Sequence, residues 1–328
     1  MPVTKSVVVA GGAGYIGSHV CKALAREGFA PVVIDSFVSG HRHNVKWGPA
    51  HDCDIRDRAG LTRILKDARP AAIMHFAASI EVGIGEKNPT AFYDNNVGGT
   101  LSLLSAAQEA RIGAFVFSSS CAVYGNAPQP LKESLPRAPY SVYGRTKTMS
   151  EEMLEDAARV HGLRLAILRY FNACGADKEG ELGEEHDPET HLIPNVLKAA
   201  AENTPVSIFG TDYPTPDGTC LRDYVHVSDL ADAHVAAMRK LLAGMSEPSA
   251  FNLGTGRPYS VREIIEAAKR VTKRNIRIIE SPRRAGDVAV LTADVTKAKS
   301  LLGFAPRHSD LDTVIGTAWA FHRRAWKV

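Results

Sequence analysis

The run SVVVA at Ser6–Ala10 passes straight into GGAGYIGSH, and no other stretch restricts the fold so strongly. Three consecutive valines favour a strand buried on both faces. Glycines then stand at 11, 14 and 17, which lets the backbone turn tightly and lets a ligand approach it. Ile16, Val20 and Leu24 follow at four-residue spacing, and Gly28 is a natural helix stop. A strand, a glycine turn and a helix in this order open a parallel α/β sheet, with a helix N-terminus placed to face a pyrophosphate. A glycine pattern alone is weak evidence, since a ligand-free glycine turn reads the same way. Its position at the first strand–helix junction is what gives it weight.

The same alternation continues. PVVID (31–35), AAIMHFA (71–77), AFVFSSS (114–120) and LRLAILRY (163–170) read as further strands, with helices near 61–68, 89–110 and 143–160. Asn88-Pro89 predicts an N-cap followed by proline at the first helical position. CDIRD (53–57) predicts the end of a third strand at Asp54 and Ile55, with Asp57 a candidate N-cap. Right-handed crossovers then give a doubly wound, Rossmann-type parallel sheet. The rhythm breaks after Asn172. Residues 174–194 are rich in Gly, Glu, Asp and His and read as a long loop. The expected division is a cofactor-binding domain over 1–171 and a smaller α/β region over 172–328. The strand-then-helix pattern at 222–238 is a candidate for return to the main sheet.

Composition narrows the function. The 328 residues carry a formal net charge of +3 and no cluster of Lys and Arg, which argues against nucleic acid. No two of the five cysteines form a C-x-x-C pair, so the cysteines write no metal site, and their odd number suits reduced thiols in the cytoplasm. The N-terminal apolar run is too short for a membrane span and ends in glycines.

Candidate cofactor contacts lie where ligands of such sheets sit, at the carboxyl ends of the strands. They are Gly11, Gly14, Tyr15, Ile16 and Gly17 in the first turn, then Asp35, Asp54 and Ile55 after the next strands. Phe76, Ala77, Ala78 and Asn95 follow, and Ser118 and Tyr170 close later strands. Asp35 stands 18 residues past Gly17, where a carboxylate accepts from the ribose hydroxyls and repels a 2′-phosphate. No arginine follows it directly, so NAD is expected rather than NADP.

YSVYGRTK (140–147) supplies the chemistry. Tyr143 and Lys147 are one helical turn apart, and a nearby cation favours phenolate. Alone, Y-x-x-x-K recurs too easily to carry an assignment. Ser118, Ser119 and Ser120 end their strand with hydroxyls at the edge of the sheet, where simple turn chemistry would also place them. Together with the glycine turn and Asp35, they make Ser120, Tyr143 and Lys147 a candidate catalytic set beside a nicotinamide.

These residues carry a resemblance to the extended short-chain dehydrogenase/reductase family, and within it to the UDP-glucose 4-epimerases. The matching strings are GGAGYIGSH, DNNVGGT (94–100), SSSCAVYG (118–125), YGRTK, LRYFNACGA (168–176), DGTCLRDYVHV (217–227), NLGTG (252–256) and RRAGD (283–287), which span nearly the whole chain. The resemblance implies interconversion of UDP-galactose and UDP-glucose through a 4-keto sugar with tightly bound NAD. It implies that Tyr143 moves the proton, Ser120 bonds the sugar 4-oxygen, and Lys147 holds the nicotinamide ribose. It also implies UDP-sugar contacts at Asn172, His191, Leu192, Phe209, Arg222, Arg284, Asp287 and Leu291, no metal, and a homodimer built from the helices near 89–110 and 143–160. Second apolar sets on those helices, Leu101 with Leu104 and Met149 with Met153, fit that interface.

Sugar 4,6-dehydratases of this superfamily have an Asp-Glu pair where this chain has Cys121 and Ala122, and neither of these can move a proton. Ile80 replaces a lysine common in relatives, His191 an asparagine, and Leu291 is intermediate between the bulky and small residues that tune tolerance for N-acetylated sugars. Two rival readings are a 4-epimerase of another UDP-sugar, a pentose or N-acetylhexosamine, and a non-catalytic NAD-binding regulator. The intact Ser120, Tyr143 and Lys147 oppose the second.

Overall fold

The computed structural model describes residues 4–284 and 286–326. Seven parallel strands form the main sheet, in the spatial order Ala50–Asp52, Ala30–Asp35, Ser6–Ala10, Ala72–His75, Ala114–Ser120, Arg164–Tyr170 and Ser249–Leu253. The order reverses between Ser6–Ala10 and Ala72–His75, which leaves a crevice at their carboxyl ends. Alternate side chains enter two helical layers. Val7 and Val9 pack into one core, and Val8 and Ala10 into the other. Phe115 and Phe117 share the second core while Val116 faces the first. Burial on both faces explains why these strands read as continuous apolar runs.

The chain returns to this sheet late. The strand that returns is Ser249–Leu253, beside Arg164–Tyr170, and the preceding helix Val227–Leu242 packs against Tyr15–Arg26. Leu221–His226 instead belongs to a smaller sheet with Asn172–Cys174, Pro258–Ser260 and Val290–Leu291. A third core gathers the helices Leu192–Glu202, Val261–Thr272 and Leu311–Trp326 around Ile208, Ile264 and Ile315.

Four expectations need correction. The third strand stops at Asp52, so Asp54 and Ile55 lie in the turn after it, while Asp57 does cap its helix by accepting from Gly60 N. Asn88 makes no side-chain cap, although Pro89 holds the first helical position. The helix expected over 89–110 is interrupted by a wide π-helical turn at Tyr93–Gly98 before Gly99–Glu109. A Cβ on Gly99 would stand 2.3 Å from Ile55 Cδ1, so the chain there lies against the turn that holds Asp54 and Ile55. Leu104 is buried against the sheet, and the outward apolar set is carried by Leu101 and Met149, both exposed.

Candidate active site

A single cavity of about 1140 Å³ opens at the carboxyl ends of the strands. Every cofactor, substrate and catalytic candidate marked in the sequence lines it. On one wall, Gly11 has φ +81°, and a Cβ there would lie 2.5 Å from Ala77 N. A Cβ on Gly17 would lie 2.1 Å from Gly11 O. The turn is therefore sealed against both the neighbouring strand end and its own helix. Gly14, in contrast, meets nothing closer than 3.5 Å and begins the helix Tyr15–Arg26 with no side-chain cap. An uncapped helix N-terminus facing a cavity is a ready anion site.

Asp35 ends its strand with both carboxylate oxygens held. Ala13 N donates to Oδ2 and Phe37 N to Oδ1, each at 2.9 Å. Asp54 is paired with Arg56, whose Nη2 lies 2.6 Å from Oδ2. Asn95 sits on the π-helical turn and donates to Ser79 Oγ at 3.1 Å. These residues fit a dinucleotide: an open glycine turn, an uncapped helix and an acceptor at the next strand end.

Two of the three candidate catalytic residues, Tyr143 and Lys147, come from the helix Val142–His161. Ser141 starts it by accepting from Gly144 N at 3.0 Å, and Glu86 accepts from Val142 N at 2.7 Å. Gly144 permits close packing, since a Cβ there would lie 2.7 Å from Ala122 O in the turn that follows Ser120. That approach brings Tyr143 and Ser120 to the same wall, and sequence reasoning did not single Gly144 out. Lys147 is buried, and its Nζ donates to Ser118 O at 2.8 Å and lies 5.8 Å from the Tyr143 ring. Ser118 Oγ bonds the Tyr170 hydroxyl.

Burial lowers the Lys147 ammonium to about 8, and the nearby Glu151 carboxylate opposes the shift. Burial pushes the Tyr143 phenol up, with Tyr170 adding to it and the Ser120 hydroxyl opposing. Lys147 is not among the groups that shift the phenol, so the lowering expected from it does not appear, and desolvation of the phenolate governs.

The opposite wall is built after residue 172. Arg222 Nη1 donates to Val288 O at 2.9 Å, and its Nη2 lies 3.3 Å from Asp287 Oδ1. The Arg284 guanidinium stacks 3.9 Å from the Phe209 ring centroid. Leu291 pairs with Arg222 across adjacent strands, and Asn172 Nδ2 donates to Asp223 O at 3.0 Å. His191 differs from expectation in being tied to a buried carboxylate: its Nδ1 lies 2.5 Å from Glu184 Oε1. Burial alone would lower this imidazole, but Glu184 and Glu189 outweigh it and raise His191 to about 9.

The comparisons with known proteins agree with this geometry. The model of the NAD dependent epimerase/dehydratase family matches residues 7–254. This chain belongs to that family. It is 52% identical over 324 residues to a UDP-glucose 4-epimerase of Rhizobium leguminosarum bv. trifolii, covering 98% of each chain. Its fold matches the UDP-glucose 4-epimerase from Brucella ovis in complex with NAD at a TM-score of 0.94 and 49% identity, over 97% of this chain and 98% of that one. It also matches a Stenotrophomonas maltophila UDP-glucose-4-epimerase with bound NAD and formylated UDP-arabinopyranose, at a TM-score of 0.95 and 38% identity, over 98% and 99%. Within the family, the cavity accounts for the glycine turn, and Arg222 and Arg284 both line it.

The lysine offers a direct test. Its folded value of about 8 lies below the ordinary 10.5, so the unfolded chain holds that proton more firmly. The buried charge therefore costs stability below pH 8, and the cost fades as pH rises from 8 to 10.5. Lys147→Met should unfold at a higher temperature than wild type at pH 7, and the gap should narrow by pH 10. A gap independent of pH in thermal melts would show that the lysine is not desolvated.

Proposed function

We propose that this protein interconverts UDP-galactose and UDP-glucose by inverting the sugar C4 through a 4-keto sugar. The observation that carries this reading is the convergence of Ser120, Tyr143 and Lys147 with the glycine turn on one side and Arg222 and Arg284 on the other, in one cavity. Its volume exceeds the usual range of about 300–1,000 Å³ for a single ligand, as a site for two molecules requires.

NAD, when bound, supplies a hydride acceptor that returns the hydride in each turnover. Gly11, Gly14 and Gly17 keep side chains out of the pyrophosphate path, and Asp35 accepts from the adenosine ribose. Tyr15, Ile16, Asp54, Ile55, Phe76, Ala77, Ala78, Asn95, Ser118 and Tyr170 complete that wall. Lys147 donates to the nicotinamide ribose. Tyr143 takes the proton from the sugar 4-hydroxyl and later gives it back, while Ser120 holds the 4-oxygen. Asn172, Arg222 and Arg284 hold the diphosphate; a guanidinium fork suits its paired oxygens. Asp287 bonds the nucleotide ribose, and Leu192, Phe209 and His191 close the substrate wall. The cofactor is held mainly by residues up to 171 and the nucleotide sugar mainly by those after 172. Five free cysteines fit a cytoplasmic enzyme of galactose metabolism. No described helix is long and apolar enough to cross a membrane.

Purified protein given UDP-galactose and no reductant should form UDP-glucose without net NADH. Tyr143→Phe should lose on the order of 10²–10⁴-fold in rate while keeping NAD, since acid–base groups contribute that much. A variant retaining more than about a tenth of the rate would remove Tyr143 from the proton path.

Leu291 lines the sugar end of the cavity and removes the rigid phenol of strict hexose epimerases without opening a large space. Plain hexoses should therefore be preferred over N-acetylated ones, with UDP-pentoses admitted. Leu291→Gly should raise the ratio of UDP-N-acetylglucosamine to UDP-glucose turnover, and Leu291→Tyr should lower it. An unchanged ratio in both variants would place the sugar elsewhere.

The exposed Leu101 and Met149 lie on neighbouring helices, Gly99–Glu109 and Val142–His161, and suit a homodimer that pairs these helices with their copies. Light scattering at micromolar concentration should give twice the chain mass. A monomer mass there would reject the interface.

A further inference from the structure

We propose that Glu184, His186, Glu189 and His191 form a binding site for a divalent transition metal, which fastens the loop between Cys174 and Leu192 beside the cofactor turn. One ligand atom from each of the four lies within 4.8 Å of the others. Both imidazoles turn Nδ1 toward the same oxygen, Glu184 Oε1, at 3.2 Å from His186 and 2.5 Å from His191. Glu189 closes the group, with Oε2 3.9 Å from His186 Nδ1 and Oε1 3.6 Å from His191 Nδ1. Across a tetrahedral ion with bonds of about 2.0–2.2 Å, ligand atoms stand about 3.3 Å apart. The observed separations straddle that value, so small side-chain rotations complete the sphere.

A second observation points the same way. His186 Nδ1 is shut off from solvent and, at 3.2 Å from Glu184 Oε1, lacks the alignment of a hydrogen bond although it faces two carboxylates. Glu184 is only 4% exposed and Glu189 16%, so two carboxylates share a space largely closed to water. A divalent cation would balance both and also satisfy His186 Nδ1.

The donor set selects the metal class. Two imidazoles with two carboxylates suit zinc, cobalt, manganese or ferrous iron. Calcium wants six to eight oxygens, and cuprous copper prefers thiolates that are not here. All four ligands come from eight consecutive residues, in the spacing E-x-H-x-x-E-x-H. Ordering so short a segment costs little loop-closure entropy. His191 N donates to Glu189 Oε1 at 2.8 Å and orients that ligand. The Tyr15 ring meets His186 edge-on at 6.3 Å, and its hydroxyl donates to Gly175 O at 2.6 Å. An ion here would therefore join the first turn of the cofactor-binding helix to the start of the substrate helix at Leu192. Its role is to hold the loop, and it does not depend on which sugar is turned over.

The test uses untagged full-length protein stripped with EDTA and titrated with Co²⁺, then Zn²⁺. One cobalt per chain should bind, with the visible bands of a four-coordinate ion, and zinc should displace it. His186→Ala and the isosteric Glu189→Gln should each weaken cobalt binding by about tenfold or more, and bound zinc should slow proteolysis of the loop in wild type only. His43→Ala is the control, because the rings of the half-buried His41 and the exposed His43 stack 5.1 Å apart and could hold metal on their own. Loss of binding in His43→Ala alone, unchanged affinity in Glu189→Gln, or no stoichiometric cobalt would each overturn the site and leave Glu184–His191 as a plain ion pair.

Discussion

The buried carboxylate of Glu151 holds together the elements that carry the candidate catalytic side chains. It accepts from Ser119 Oγ at 2.5 Å, from Arg169 Nε and Nη2 at 2.9 and 2.6 Å, and from Arg137 Nη1 at 3.0 Å. Ser119 lies between Ser118 and Ser120, Arg169 precedes Tyr170, and Glu151 is one helical turn beyond Lys147. Arg169 then donates to the Tyr124 hydroxyl at 2.9 Å, which donates to Asn252 Oδ1 at 2.7 Å on the returning strand. A buried ion pair adds little net stability, yet losing one partner costs about 3–5 kcal/mol. The network therefore acts chiefly on geometry: it fixes the register of one helix against three strands. Its negative charge also helps Lys147 keep a proton in a buried place.

Around that anchor, the sheet supplies the direction of the site. All seven strands are parallel, so all their carboxyl ends open on one edge, and the reversal of strand order parts the loops there. The wall after residue 172 is brought over this edge by local ties. Lys22, on the helix behind the glycine turn, lies 2.7 Å from Asp177, 2.9 Å from Glu179 and 2.7 Å from Glu181. His41 bonds the backbone oxygen of Glu185 at 2.9 Å. The long loop is thus clasped to the half that carries the glycine turn through charge and backbone contacts.

Much of this was legible in the sequence because the signals are local. AFVFSSS is a strand over the residues expected, and LRLAILRY is one from Arg164, since apolar runs of that length are stable only when covered on both faces. The helix around Tyr143 was visible from spacing, and Ser141 caps it. What was missed depends on neighbours distant in sequence. Nothing near Asn95 announces the π-helical turn, which accompanies the close approach of Gly99 to Ile55. Between Tyr143 and Lys147, Gly144 reads as an ordinary residue; its constraint comes from Ala122 O beneath it. Glu184 and His186 lie in a loop that its composition marks as irregular, but their convergence with Glu189 and His191 is a matter of folding.

The parallel sheet, the glycine turn, the acidic strand end at Asp35 and the tyrosine–lysine pair follow from local sequence, because each is set by periodicity or by residues a few positions apart. Which later strand completes the sheet and which apolar residues face outward depends on long-range packing. That packing also decides how the two walls meet and how protons are held. Lys147 and Tyr143 sit one turn apart in any helix, but burial governs their charges, lowering one and raising the other. Burial is a property of everything packed around a group, and no short stretch of chain contains it.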